Sequence, residues 1–168
     1  MTSPTTEGVW YFERPFTQRV TPLPQEIDGL NHTNNAVYVQ WCEKIAWARS
    51  QTRGLGLDDY RHLDRAMAIR RSEYDDRLPS VVGDELTLGT WLCASDGKLS
   101  MERRFQLVRQ PDQATLLRAR WHLVCIELSS ARARRTPPEF CRVYLPAVVG
   151  AIGAKLPNAP RECAHPEN

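Results

Sequence analysis

Residues 34–53 read NNAVYVQWCEKIAWARSQTR. Tyr38, Trp41, Cys42, Ile45 and Ala48 recur at spacings of three and four, which gathers them on one face of a helix. Asn34 or Asn35 can supply the N-cap, since a short side-chain oxygen satisfies a free N–H of the first turn. Gly54 and Gly56 end the helix just past residue 53. No other stretch predicts a long helix. Its apolar face has to be buried against another layer.

The rest of the chain reads as strands. Residues 16–20 make a first strand, and Pro22 and Pro24 then open a loop. After the helix, residues 66–71 lead into Ser72-Glu73-Tyr74, and Leu78-Pro79 interrupts the run. Residues 85–94 alternate, with Leu86, Leu88 and Leu92 on one face and Thr87, Trp91 and Cys93 on the other. Asp96-Gly97 is a hairpin signal. Residues 100–109 alternate again, with Met101, Arg103, Phe105 and Leu107 opposite Glu102, Arg104, Gln106 and Val108. Gln110-Pro111-Asp112 turns the chain into a last long strand over 115–128. A short terminal helix is expected from Pro137-Pro138-Glu139. One helix beside an antiparallel meander is an α+β layer arrangement. The expected organisation is a flexible extension over 1–15, one domain over 16–156 and a Pro-rich, disordered tail over 157–168.

The chain has 168 residues, 42% hydrophobic and 25% charged, which suits a single globular core. A net charge of +2 gives no reason to expect nucleic acid or a membrane surface as partner. No apolar run is long enough to span a bilayer. Met1 to Gly8 lack the pattern of a secretory signal. The five cysteines form no C-x-x-C pair, and reduced thiols in the cytoplasm are the expectation. Cys42, Cys93 and Cys125 read as small apolar residues. No nucleophile elbow, phosphate loop, dinucleotide fingerprint or zinc spacing occurs, so neither cofactor nor metal is expected.

The approach to the helix is unusually polar. Residues 26–35 read EIDGLNHTNN and carry two carboxylates, an imidazole and several amides. The helix start offers free N–H groups and a positive dipole end, which can hold a carbonyl oxygen. A loop could bring Asp28 to the same carbonyl, to attack carbon or to activate water. The residues alone leave a second reading open, in which the Asx-rich stretch merely caps and turns.

The stretch from Glu26 through Asp28, Asn31, His32, Asn34 and Asn35 to Tyr38 resembles the D-x-D-x-x-G-H-x-N-N-x-x-Y signature of hotdog-fold acyl-CoA thioesterases of the 4-hydroxybenzoyl-CoA thioesterase-like branch. Trp41 and Glu43 match that branch's helix. Arg70-Arg71-Ser72-Glu73-Tyr74, Gly83-Asp84-Glu85-Leu86 and the strand around Trp121 resemble its sheet. The likeness covers roughly residues 16–139. It implies a long central helix wrapped by a curved antiparallel β-sheet. It also implies a homodimer or dimer of dimers, and hydrolysis of an acyl- or aroyl-CoA or acyl-carrier-protein thioester. Asp28 stands at the family's catalytic carboxylate, and Asn35 at the backbone N–H of its oxyanion hole. Two positions depart from the signature. Glu26 replaces its first Asp. Asn31 replaces the Gly before His, and can adopt the left-handed turn less freely.

The remaining candidates follow. His32 either locks the loop or orients substrate. Asn34 is a cap first and a substrate contact second. Tyr38 is core or lines the acyl pocket. Glu43 is the rival base on the helix. Arg70, Arg71 and the cluster of Arg132, Arg134 and Arg135 are candidates for the phosphates of coenzyme A. Two other functions stay open: a hydratase or dehydratase acting on acyl thioesters, and a catalytically silent acyl-CoA-binding module.

Overall fold

A computed structural model describes residues 9–150. The expected tail over 157–168 and the first eight residues lie outside them. Five strands form one antiparallel sheet in the order β1-β3-β4-β5-β2: β1 Phe16–Val20, β2 Arg65–Asp76, β3 Leu86–Ser95, β4 Ser100–Arg109 and β5 Thr115–Glu127. The long helix α1, Asn35–Thr52, crosses one face of that sheet. Asn34 is its N-cap and accepts the Ala36 N–H on its side-chain oxygen. Val37, Tyr38, Trp41, Cys42 and Ile45 point from α1 into the core. There they meet Leu86, Leu88, Phe105, Leu107, Leu117 and Trp121 from the strands. At roughly 1.5–3 kcal/mol for each large side chain buried, this interface holds the helix in place.

The alternation read in β3 and β4 is obeyed. Leu86, Leu88 and Leu92 face α1, whereas Trp91 belongs to a separate cluster with Trp10 and Val108. That second cluster overturns one expectation. Residues 9–15 do not form a loose extension but lie along the outer face of the sheet. Trp10 is buried there, and a Cβ on Gly89 would come within 2.8 Å of its ring. The Gln106 amide fastens the segment, donating to the Val9 carbonyl at 2.9 Å and accepting the Tyr11 N–H at 3.1 Å. Trp91 donates its indole N–H to the Glu13 carbonyl. An aromatic run among polar residues at a chain start reads as mobile; here the bare backbone at Gly89 makes a slot for it.

Two short α-helices complete the described residues. α2, Leu57–Leu63, was not expected, because two glycines separate it from α1 and it has only seven residues. Asp59 starts it by accepting the Gly56 N–H at 2.8 Å. α3, Pro138–Tyr144, begins where Pro137-Pro138 predicts and sets Phe140 and Tyr144 into the core. β2 is an edge strand: β5 covers one side, and no strand among the described residues pairs with the other. No described helix is long and apolar enough to cross a membrane.

Candidate active site at the start of the long helix

Residues 26–34 close on themselves as a miniature hairpin. Ile27 and Thr33 form an antiparallel bridge, and the Asn34 N–H donates to the Glu26 carbonyl at 2.9 Å. The Asp28 N–H donates to the His32 carbonyl at 2.8 Å, and the Asn31 N–H returns to the Asp28 carbonyl at 3.1 Å. This is a three-residue hairpin loop, and its last residue must take a left-handed conformation. Asn31 does so, at φ 61°. Asparagine tolerates this region better than most non-glycine residues, so the turn closes without a glycine there.

Asp28 serves the turn and still keeps a free oxygen. Its Oδ1 accepts the Leu30 N–H at 2.8 Å and the His32 N–H at 3.3 Å. No hydrogen bond reaches Oδ2 from the described residues. The turn therefore uses one carboxylate oxygen of Asp28 and not the other. The His32 ring is exposed, and the residue contributes to the loop through its backbone.

The hairpin ends at α1, where three N–H groups have different fates. Asn34 takes the Ala36 N–H on its side chain and the Val37 N–H on its carbonyl. The Asn35 N–H has no partner among the described residues and lies at the positive end of an 18-residue helix. An unpaired N–H at a dipole end is the kind of donor a developing oxyanion needs.

Beneath the loop lies a buried hydroxyl network. Ser80 Oγ is 2.6 Å from Thr33 Oγ1 and 2.8 Å from the Tyr38 hydroxyl. The Thr33 N–H donates to the Ser80 carbonyl at 2.9 Å. Tyr38 is 4% exposed, so its phenol holds the loop to α1. Ser80 and Thr33 were not singled out in the sequence. Ser80 follows Leu78-Pro79, which reads only as a strand break, and its burial depends on residues 42 and 47 positions away.

Glu43 is exposed on α1, and its charge reaches β2. Partial burial pushes the Tyr74 phenol up, the Trp121 N–H it accepts pulls it down, and Glu43 adds to the rise. Arg70 and Arg71 border an open groove with His122, Glu102 and Met101. Arg70 is the extra residue of a bulge, since Ile69 and Arg71 face consecutive residues of β5. Arg71 pairs with Glu73 at 2.9 Å. Arg134 is half exposed and leans toward Glu127 at 3.5 Å. The structure thus assembles Asp28, His32, Asn34, Asn35 and Tyr38, while none of residues 26–35 borders the arginine groove. Cys42 is fully buried, and that burial pushes its thiol far up, as a core residue's would be.

A curved antiparallel sheet laid around one long helix is the hotdog fold, and solved structures of that fold superpose on the chain. A 1,4-dihydroxy-2-naphthoyl-CoA thioesterase from Synechocystis is 20% identical, with a TM-score of 0.67 over 76% of this chain and 95% of that one. A Staphylococcus aureus protein solved in complex with CoA is 17% identical, with a TM-score of 0.73 over 90% of this chain and 95% of its own. A 12:0-ACP thioesterase from Umbellularia californica gives 17% and 0.73, over 84% of this chain and 56% of that one. No curated protein matches the chain by sequence. The sequence model of the thioesterase-like superfamily matches residues 22–144. The chain belongs to that superfamily.

Proposed function

We propose that the chain hydrolyses an acyl- or aroyl-CoA, or acyl-carrier-protein, thioester to the free acid and thiol. The observation that supports this reading is that two groups in the segment leading into α1, Asp28 Oδ2 and the Asn35 N–H, have no hydrogen-bond partner among the described residues. The thioester oxygen accepts from Asn35, and the Asp28 carboxylate either takes a proton from the water that attacks the carbonyl carbon, or attacks that carbon itself to form a mixed anhydride that water then hydrolyses. The thiolate leaves without a strong general acid. Asn34 caps the neighbouring N–H groups and leaves that of Asn35 for substrate, and the exposed His32 contacts or orients substrate. Arg70, Arg71 and Arg134 supply guanidinium groups for the phosphates of coenzyme A. Glu43 acts on substrate placement from the helix face.

In this reading the working unit is a homodimer or dimer of dimers. Its support is the unpaired edge of β2, together with Leu30 at 76% exposure, Val39 and Ile69. A second copy that covers these surfaces can bring its own arginines toward the Asp28 loop, which the single chain does not do.

A panel of aliphatic and aromatic CoA thioesters, tested on wild type and Asp28→Asn, decides the matter. Hydrolysis by wild type, with kcat lowered about 10²–10⁴-fold in the variant, is the expected result. Equal inertness of both proteins toward the panel defeats the enzyme reading. Single-turnover hydrolysis in heavy-oxygen water then separates the two roles, since label entering the Asp28 carboxylate requires attack by Asp28 itself.

A further inference from the structure

The residues of β4 that face α1 are Met101, Arg103, Phe105 and Leu107, so one of four core positions is a guanidinium. Arg103 is 4% exposed. Its one hydrogen bond among the described residues goes to Thr90 Oγ1 at 3.3 Å, which uses one of five N–H donors. The Thr90 hydroxyl is itself committed, donating to the Arg104 carbonyl. No described carboxylate pairs with Arg103. A charge buried in this way is costly unless something balances it.

Arg103 opens onto a cavity of about 110 Å³ at the far end of α1, bordered also by Arg14, Arg49, Arg53, Ser50 and Tyr144. None of these four arginines makes an ion pair with a described carboxylate. The Arg53 Nε is buried with no hydrogen-bond partner among the described residues. Arg49 lies over the Phe16 ring at 5.1 Å. Burial holds both Arg103 and Arg49 below the usual arginine range; Arg53 adds to the depression at Arg49, and Arg49 adds to it at Arg103. The hydroxyls nearby are also organised: Ser50 Oγ lies 3.1 Å from the Tyr144 hydroxyl, which bonds that of Tyr60.

A structural account based on the C-terminus of α1 falls short. A helix end carries about half a negative charge, enough to favour one cation. Here four converge, and Arg14 and Arg103 come from other elements. We propose that the cavity is a binding site for a phosphate-sized oxyanion, held by the guanidinium groups of Arg103, Arg49 and Arg53 and the hydroxyls of Ser50 and Tyr144. Guanidinium forks match phosphate oxygens in bidentate fashion. The cavity has room for one small polyatomic anion and too little for an extended ligand. Ser50 lies about 22 Å along the helix from Asn35, at 1.5 Å per residue, so this site is separate from the thioester site and does not rest on that reading.

The test is calorimetric titration of the full chain with inorganic phosphate, with chloride at equal ionic strength as control. Saturable 1:1 binding is expected in wild type, with a rise in the thermal midpoint that chloride does not give. Arg103→Met and the double variant Arg49→Gln/Arg53→Gln should each weaken phosphate binding at least tenfold. The double variant changes half-buried positions at a helix end and decides the matter if Arg103→Met does not fold. Absence of saturable binding in wild type overturns the proposal, and so does undiminished binding in both variants. Phosphate that binds only after Glu7, Glu162 and Glu167 are changed to Gln also overturns it, because the chain's own carboxylates are then the occupant. Coenzyme A as titrant identifies the source: a parallel loss in the variants assigns the anion to a phosphate of a larger ligand, and unchanged affinity assigns it to free phosphate.

Discussion

Ser80 Oγ stands 2.6 Å from Thr33 Oγ1 and 2.8 Å from the Tyr38 hydroxyl, so one buried serine ties the Asp28 hairpin both to α1 and to the connection between β2 and β3. Ser80→Ala removes the described partner of the buried Tyr38 hydroxyl, while the Thr33 hydroxyl keeps its bond to the Ser80 carbonyl at 3.2 Å. The expected cost is about 1–3 kcal/mol, read as a lower midpoint in urea unfolding at unchanged m-value. Thioester hydrolysis should fall as well, since the loop loses its anchor. A variant as stable as wild type contradicts this role for the network.

Asn31 carries the positive φ of the hairpin. Asn31→Gly should fold to the same structure, with stability within about 1 kcal/mol of wild type, because glycine relieves the left-handed strain but loosens the unfolded chain. Asn31→Val forces a branched residue into that region and should cost roughly 1–2 kcal/mol. Thermal unfolding of the pair gives the comparison, and a tolerated valine would show that the loop has another path.

Asp28→Asn should separate stability from chemistry. The asparagine oxygen can still accept from Leu30, so the turn survives and unfolding should shift by less than about 1 kcal/mol. Hydrolysis should nevertheless collapse. A comparable loss of both would mean that Asp28 acts on the fold instead of the substrate.

The hairpin between β3 and β4 sets an acid limit. Partial burial pulls the Asp96 carboxyl up, but the Leu99, Ser100 and Lys98 N–H groups and the Ser100 hydroxyl outweigh it and bring it down to about 2. An unfolded aspartate titrates near ~3.9. The folded pKa is the lower one, so its stabilisation is complete above about pH 4 and is lost as pH falls toward 2. Asp96→Asn should be less stable at neutral pH, and its stability should vary less with pH across that window. Equilibrium unfolding at pH 2.5 and pH 6 gives the test, and parallel curves for the two proteins would refute it.

Gly89 has a Cβ direction occupied by the Trp10 ring at 2.8 Å. Gly89→Ala should therefore push Trp10 off the sheet, at a cost of about 1–3 kcal/mol. The readout is a red-shifted tryptophan emission with a lower thermal midpoint. Unchanged emission would mean that the ring slides without leaving its slot.

Much of this architecture was legible because it rests on local periodicity. The three-four spacing of Tyr38, Trp41, Cys42 and Ile45 defined α1, and the alternation through Leu86–Leu92 and Met101–Leu107 assigned both faces of the sheet correctly. The polar turn before α1 was legible from its Asx-rich composition, and the left-handed turn at Asn31 from the resemblance to a signature with glycine there. What escaped depends on distance in space. Trp10 finds Gly89 across 79 positions, and Ser80 finds Thr33 across 47. α2 escaped because seven residues give too little periodicity to register. Arg103 was visible as a charge on an apolar face, but only the folded chain shows Arg49, Arg53 and Arg14 beside it.

The open edge of β2 also has an electrical direction. Its exposed stretch runs Arg70-Arg71-Ser72-Glu73-Tyr74-Asp75-Asp76, cationic at the start and anionic at the end. Antiparallel addition of an identical strand centred on Glu73 sets Arg70 against Asp76 and Arg71 against Asp75. Parallel addition in register sets like charge on like, which destabilises a cross-strand pair. In the proposed homodimer, this charge order would favour antiparallel over parallel addition at the β2 edge before any side chain packs.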